Sequence, residues 1–458
     1  MNKPVVGLLP LYLELYDQVV PENRQAAEAF AGTIRDALEK LNIEVIAAPV
    51  CCVKPEFSKA VKSFEKKRAA AIVTLHLAYS PSLESVDALT ATSLPLIVLD
   101  TTPDFEFGFN TDADRIMYNH GIHGVQDLCN MLRRKEKHFM LEAGHWQQSD
   151  VLTRVAADIN ACIAAAAMKT ARVGIIGQPF PGMGDFAIPF ADLKKLVGME
   201  VIQATPAKFK ALRPAAAEVS EELKLYSNLF KIGKASEECL ARTAATSLTV
   251  RKWIAKEKLT AFTFNFLDID RKCGLGTVPF LEASMAMSRG IGYAGEGDVL
   301  TAAFVASLAK VFPETTFSEM FCPDWKGNKV FLSHMGELNV DVVNGRPELL
   351  EKAFPFFKAD SPALALGCMK PGPAALVNLA PGSQDSFTMI VCFGDVRTPR
   401  KNKIGGISGW FEPDIPLEDM LSEYSCHGGT HHLALVYNPD YKILRRYAEI
   451  MDWNCVII

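Results

Sequence analysis

In the first two thirds of this chain, short apolar runs alternate with longer amphipathic stretches. That alternation restricts the fold more than any other feature. Residues 5–9, 44–48, 70–77 and 94–99 read as short buried strands, and residues 23–41, 57–66 and 83–92 between them carry apolar side chains at helical spacing. Repeated strand–helix–strand succession makes a parallel sheet covered by helices, with right-handed crossovers. A strand at 138–142 and a long Ala-rich helix at 150–168 complete an expected N-terminal α/β domain, residues 1–170. The pattern restarts with a strand at 173–176, a helix at 190–197 and a strand at 200–204. Helices then fill much of 215–256, followed by a strand at 261–266 and a helix at 298–310, giving a central domain at 171–311. After residue 312 the texture changes. The runs 330–333, 338–343, 363–366, 374–379, 387–393 and 433–436 are short, strand-like and punctuated by Gly and Pro, which suits an antiparallel sheet or barrel over residues 312–458. The expected class is α/β: two Rossmann/flavodoxin-like doubly wound domains followed by a mostly antiparallel β-barrel-like C-terminal domain.

Charge and cysteine usage exclude several functions. Lys and Arg total 48 against 53 Asp and Glu, a net charge of −5, with no basic block. Nucleic acid is therefore not an expected partner. No apolar run approaches the roughly 18 to 20 residues of a membrane helix, so no membrane partner is expected. Met1-Asn2-Lys3-Pro4 leads straight into an apolar segment without a signal-peptide pattern. The eleven cysteines contain no CxxC pair, and only Cys51 and Cys52 adjoin. Reduced core thiols in a cytoplasmic protein fit this better than a disulfide framework.

A few segments carry chemistry. The run from Gly177 to Gly184 follows a strand and precedes a helix, but it is neither GxGxxG nor a P-loop, and its prolines remove donors a phosphate needs. It reads instead as a substrate-facing loop at the carboxyl end of a strand. Among nine histidines, His431 and His432 adjoin in His427-Gly428-Gly429-Thr430-His431-His432, just before an apolar strand. Neutral imidazole is the commonest metal-ligating side chain, and glycine lets backbone approach a ligand. Gly295-Glu296-Gly297-Asp298 opens a helix. Asp298 suits its N-cap, whereas Glu296 has no capping task. Glu319 lies among apolar residues, where an unpaired carboxylate is costly. His334 ends a strand-like run that a turn at Lys326-Gly327-Asn328 brings back beside Glu319. Two carboxylates with one or two histidines form a mixed O/N donor set, which suits Mn²⁺, Co²⁺ or Fe²⁺ rather than a closed structural zinc site.

These segments, in chain order, resemble the L-arabinose isomerase family within the wider L-fucose/L-arabinose isomerase superfamily. Gly292 to Asp298 is similar to the glycine-rich segment with the family's first metal-binding glutamate, and Phe317-Ser318-Glu319 to the segment with the second. Ser333-His334-Met335 resembles the first histidine segment, and Gly428 to His432 the last motif, whose second histidine binds metal while the first lines the site. Gly144-His145-Trp146-Gln147 also resembles the family. So does Asn119 to Gly124, similar to a segment that reaches a neighbouring subunit's active site, with His123 at the family's histidine and His120 where glutamine is usual. Thr263 to Phe266 resembles a strand whose Phe packs on the sugar, and the loop near Phe180 occupies a substrate-contacting place. Leu11-Tyr12-Leu13-Glu14 departs from the family's sugar-contacting motif.

The resemblance implies a metal-dependent aldose–ketose isomerase, an intramolecular oxidoreductase working through an enediolate. It implies Glu296, Glu319, His334 and His432 as ligands of a divalent ion, Mn²⁺ first, with Co²⁺, Fe²⁺ or Mg²⁺ as alternatives. Glu296 and Glu319 would also serve as acid and base, and His431, His123, His120, Phe266 and Phe180 would meet a small sugar. A homo-oligomer, trimer or hexamer, with sites between subunits is implied too. The alternative is a non-catalytic sugar-binding or regulatory protein on the same fold. A nicotinamide-dependent dehydrogenase lacks its glycine fingerprint.

Overall fold

The computed structural model of the protein describes residues 3–270, 272–399 and 405–458. The chain forms two compact units, Met1–Ile163 and Ala164–Ile458.

In the first unit, five strands form one parallel sheet: β1 (Val5–Leu11), β2 (Glu44–Ala47), β3 (Ile72–His76), β4 (Leu96–Asp100) and β5 (Met140–Ala143). Their order is β2-β1-β3-β4-β5, the flavodoxin-like arrangement. Helices supply the cover. Helix Lys54–Lys66 starts cleanly because Glu56 Oε2 accepts from the backbone N–H of Cys52 (2.7 Å) and Val53 (3.2 Å). Its Phe57, Val61 and Phe64 join Leu9, Ile72 and Val98 in one buried cluster.

The second unit holds a parallel sheet and a barrel. Strands β6 (Arg172–Ile176), β7 (Glu200–Gln203), β9 (Ala261–Phe264) and β10 (Gly292–Ala294) pair in the order β10-β9-β6-β7, while β8 (Lys231–Ile232) leaves to join the barrel sheet. The later strands are β11 (Thr315–Asp324), β12 (Lys329–Ser333), β13 (Glu348–Glu351), β14 (Ala363–Cys368), β15 (Gly372–Pro381), β16 (Phe387–Arg397), β17 (Ile407–Pro413), β18 (His432–Tyr437) and β19 (Asn454–Ile457). Six of them, in the order β16-β15-β18-β11-β12-β17, pair antiparallel, and a β16–β17 pairing closes the ring. The expected α/β sheets and C-terminal barrel are thus present.

Side-chain alternation decides what each barrel strand does. Leu433, Leu435 and Tyr437 of β18 enter the barrel core with Val330, Leu332, Leu376, Ile390 and Phe411. His432, Ala434 and Val436 face the other way. Every residue of β18 is buried, because the wholly buried helix Val299–Leu308 packs against β10, β11 and β18. That layer of helix between parallel sheet and barrel encloses the outward-facing polar residues of β11 and β18.

Several local expectations fail. Residues 338–343 form no strand; Asn339 Oδ1 accepts from the Asp341 N–H (2.9 Å) and starts a single tight turn, Val340–Val342. The helices Leu417–Cys426 and Tyr441–Ile450 interrupt the strand-rich region, the second capped by Asp440. Helix Val151–Lys169 is long and apolar enough to cross a membrane by length and composition, and 61% of its 18-residue apolar stretch is buried in the fold. Arg154 and Asp158 divide its apolar residues into shorter runs.

Candidate active site

Three backbone features gather the polar cluster. The β11–β12 hairpin turns where expected and sets Glu319 opposite Ser333, so that His334 emerges just past the end of β12. On its other side Glu319 lies opposite His432 at the start of β18. Cross-strand partners share a face, so the carboxylate and the imidazole meet directly. Glu296 comes from the tight link between β10 and helix Val299–Leu308. Its backbone is left-handed (φ +60°), an uncommon state for a residue with a side chain. The flanking glycines are required there. A Cβ on Gly295 would lie 2.8 Å from His334 Cε1, and one on Gly297 (φ +87°) would lie 2.6 Å from Pro179 Cα.

Glu319 Oε1 lies 3.1 Å from His432 Nε2, 3.3 Å from His334 Nε2 and 3.8 Å from His431 Nε2. Glu296 Oε2 lies 3.6 Å from His432 Nε2 and 3.7 Å from His431 Nε2. Phe317 sets its ring edge-on to both His334 (4.9 Å) and His432 (5.0 Å), and Phe186 stacks on His432 at 5.1 Å. The cluster is therefore walled by aromatic carbon, which strengthens electrostatic interaction inside it.

Each histidine is held from behind by a carboxylate. Asp298 Oδ2 faces Nδ1 of His432 at 3.0 Å, Glu337 Oε1 faces Nδ1 of His334 at 2.5 Å, and Asp185 Oδ2 faces Nδ1 of His431 at 2.6 Å. An ionised carboxylate only accepts, so Nδ1–H is the donor in all three pairs and Nε2 is turned toward Glu296 and Glu319. Burial opposes charge on all these groups, yet the facing partners prevail. Glu296 is held down to about 2 by His431 and His432, and Glu319 well below its usual range by His334 and His432. Conversely, His334 is pushed up to about 10 by Glu337 and Glu319, and His432 and His431 are raised as well.

The residues fit a divalent ion. Glu296 Oε2 and His432 Nε2 are buried and make no hydrogen bond among the described residues, an arrangement that costs about 1–3 kcal/mol per group unless something else satisfies it. One atom each from Glu296, Glu319, His431 and His432 lies within 4.8 Å of all the others. His334 touches the same group through Glu319.

The other expected contacts divide between the units. The Phe180 N–H donates to the carbonyl of Glu296 (2.8 Å), and the Phe180 and Phe266 rings pair at 5.7 Å. His120 and His123 belong to the first unit, where His120 lies 3.1 Å from the Tyr16 hydroxyl and 6.0 Å, ring to ring, from His123.

Asp185 and Glu337 were not singled out from sequence, and Asp298 was read only as a cap. It is one: its Oδ1 accepts from the Thr301 N–H at 2.9 Å. Glu337 follows His334 by three residues, a spacing that could have marked it. Asp185 has no such signal, since its partner lies 246 positions away.

A carboxylate–imidazole cluster between a parallel α/β sheet and a closed barrel defines a class of site whose donors could hold a metal ion. Comparison with known proteins gives the particular family. The L-arabinose isomerase N-terminal domain matches residues 6–170, the central domain 199–314 and the C-terminal domain 314–454. The L-arabinose isomerase of Salmonella enteritidis is 22% identical over 443 residues, covering 92% of this chain and 87% of that protein. That of Anoxybacillus flavithermus is 24% identical over 414 residues, covering 86% and 81%. An arabinose binding protein from Geobacillus stearothermophilus aligns over 58% of this chain and 75% of its own at 10% identity, with a TM-score of 0.16, too low to carry an argument. The chain belongs to the L-arabinose isomerase family. Its activity is that of an aldose–ketose sugar isomerase, an intramolecular oxidoreductase.

Proposed function

We propose that the isomerisation is metal-dependent and runs through an enediolate, with Glu296, Glu319, His334 and His432 holding the ion. The observation that carries this reading is the pair of buried atoms Glu296 Oε2 and His432 Nε2, without a hydrogen bond among the described residues and 3.6 Å from one another in a mixed O/N cluster. A bound divalent ion would polarise the sugar carbonyl and stabilise the enediolate that forms as a proton moves between C1 and C2. The donor set suits Mn²⁺, with Co²⁺, Fe²⁺ and Mg²⁺ as alternatives.

The chain's own residues supply the rest. Glu296 and Glu319 face the cluster from two different elements and can pass a proton on and off the reacting carbons. Asp298 and Glu337 fix the tautomer and direction of His432 and His334. The Phe317 and Phe186 rings exclude water from one side, which protects a reactive intermediate. His431, with a side chain 40% exposed, is placed to meet a sugar oxygen, and the Phe180–Phe266 ring pair offers an apolar surface beside Glu296.

The same reading makes the three divisions 1–170, 171–311 and 312–458 functional domains. It also places the protein in the cytoplasm as a trimer or hexamer, with His120 and His123 serving a neighbouring subunit's sugar site. The test is interconversion of aldoses and ketoses across pentoses, 6-deoxyhexoses and hexoses with Mn²⁺, Co²⁺ and Mg²⁺. Turnover that needs a divalent ion and disappears in Glu296→Gln is expected. Turnover that survives Glu296→Gln contradicts the assignment of Glu296.

A further inference from the structure

The geometry points to His431 as a fifth protein donor to the divalent ion, presented by Asp185. This rests on the metal reading above and extends it to a histidine whose resemblance-based role is only to touch the sugar.

Three observations carry it. First, His431 Nε2 belongs to the compact donor group with Glu296, Glu319 and His432, all within 4.8 Å of one another. It approaches Glu296 Oε2 (3.7 Å) and Glu319 Oε1 (3.8 Å) almost as closely as His432 Nε2 approaches Glu296 Oε2 (3.6 Å).

Second, the imidazole is fixed in the manner of a ligand. Asp185 Oδ2 accepts from both the backbone N–H of His431 (3.0 Å) and its Nδ1–H (2.6 Å). With Nδ1 committed as a donor to Asp185, Nε2 is the nitrogen turned to the cluster, and it would offer its lone pair once an ion displaces its proton. This is the same carboxylate-behind-histidine arrangement that Asp298 gives His432 and Glu337 gives His334. A histidine needed only for a sugar hydroxyl does not require its main chain and ring to be gripped by one carboxylate oxygen.

Third, the loop that supplies Asp185 reaches both adjoining histidines at once. Phe186 stacks on His432 with ring planes 11° apart and also meets the His431 ring at 5.7 Å. Asp185 and Phe186 thus set two neighbouring imidazoles in a fixed relation. Of the five residues His431 would be the donor best placed to yield to a sugar oxygen, because its side chain is 40% exposed and those of the other four are 15% exposed or less.

The experiment is titration of metal-stripped full-length protein with Mn²⁺, followed by loss of the free-ion EPR signal, together with the visible spectrum of the Co²⁺ form. Wild type, His431→Ala, Asp185→Asn and Glu319→Gln are compared, without sugar. Folding is checked by thermal unfolding; the exposed imidazole makes His431→Ala mild. The expected result is about tenfold or greater weakening in His431→Ala, a smaller loss in Asp185→Asn, and a changed Co²⁺ spectrum in both. Wild-type affinity and an unchanged spectrum in His431→Ala overturn the inference, and if Glu319→Gln still loses metal, they overturn it alone. A wild type that binds no Mn²⁺ overturns it together with the metal reading itself.

Discussion

Asp298 and His432 face each other fully buried, with Oδ2 accepting from Nδ1–H at 3.0 Å. The other oxygen of Asp298 caps helix Val299–Leu308 through the Thr301 N–H. One carboxylate therefore starts the helix that covers the barrel face and turns a histidine toward the cluster. Asp298→Asn keeps a cap but removes the charge behind His432, and should weaken Mn²⁺ binding by about tenfold or more. Asp298→Ala should add a stability loss of about 1 kcal/mol for the cap and a further 1–3 kcal/mol for the stranded Nδ1–H. Calorimetric Mn²⁺ titration and urea unfolding separate the two effects.

Glu337 Oε1 accepts from two donors, His334 Nδ1–H at 2.5 Å and the Tyr293 hydroxyl at 3.0 Å. Glu337→Gln should lower metal affinity by about tenfold. Tyr293→Phe keeps the histidine pair and should cost about 1 kcal/mol of stability with little change in metal binding. Equal losses of affinity in the two variants would contradict the assignment of Glu337 as the residue that orients His334.

Away from the site, Arg251 bridges two buried carboxylates. It reaches Glu222 at 2.8 and 2.9 Å and Glu282 at 2.7 and 3.2 Å, and Arg289 also pairs with Glu282. Burial pushes the Glu282 carboxyl up. Arg251→Met should destabilise by about 3–5 kcal/mol, because it leaves buried charge without its partner, and changing both glutamates to Gln as well should recover part of that loss. Thermal unfolding of the single and triple variants measures the difference.

The first unit carries a pH-dependent term. Burial holds His76 down to about 3 from its ordinary 6.5, and its Nδ1 lies 2.9 Å from Ser80 Oγ. Between pH 6.5 and 3 the unfolded chain binds a proton there that the folded chain refuses. Stability from this group is complete above pH 6.5 and is lost as pH falls through that window, by about 2 kcal/mol at pH 5. His76→Gln should be less stable at pH 7 but should lose less than wild type between pH 7 and 5 in urea unfolding. An identical pH dependence would contradict the burial argument.

How far the sequence carries differs from element to element. Strands such as β3 and β18 are legible because each carries a run of buried aliphatic residues, Ile72, Val73 and Leu75 in one and Leu433 to Val436 in the other, too short for a helix. The hairpin joining Glu319 to His334 is legible from Lys326-Gly327-Asn328, where Asn328 adopts φ +50°. The turn at 340–342 is not, because the Asn339 side chain competes with strand pairing and periodicity does not register it. The polar cluster is half legible. Glu296, Glu319, His334 and His432 stand in motifs, whereas Asp185 acts on His431 across the whole barrel sequence. Only the folded chain brings those two together.

Buried Glu296 and His432 are proposed to hold a divalent ion that aldose–ketose interconversion needs. The direct measurement is turnover of the preferred sugar by protein stripped with chelator, then titrated with Mn²⁺. The account predicts no turnover in the stripped protein, recovery that saturates with Mn²⁺ binding in the wild type, and no recovery in Glu296→Gln or His432→Gln at any Mn²⁺ concentration that saturates the wild type. Full turnover in the stripped protein, or recovery in both variants to the wild-type rate, would contradict it.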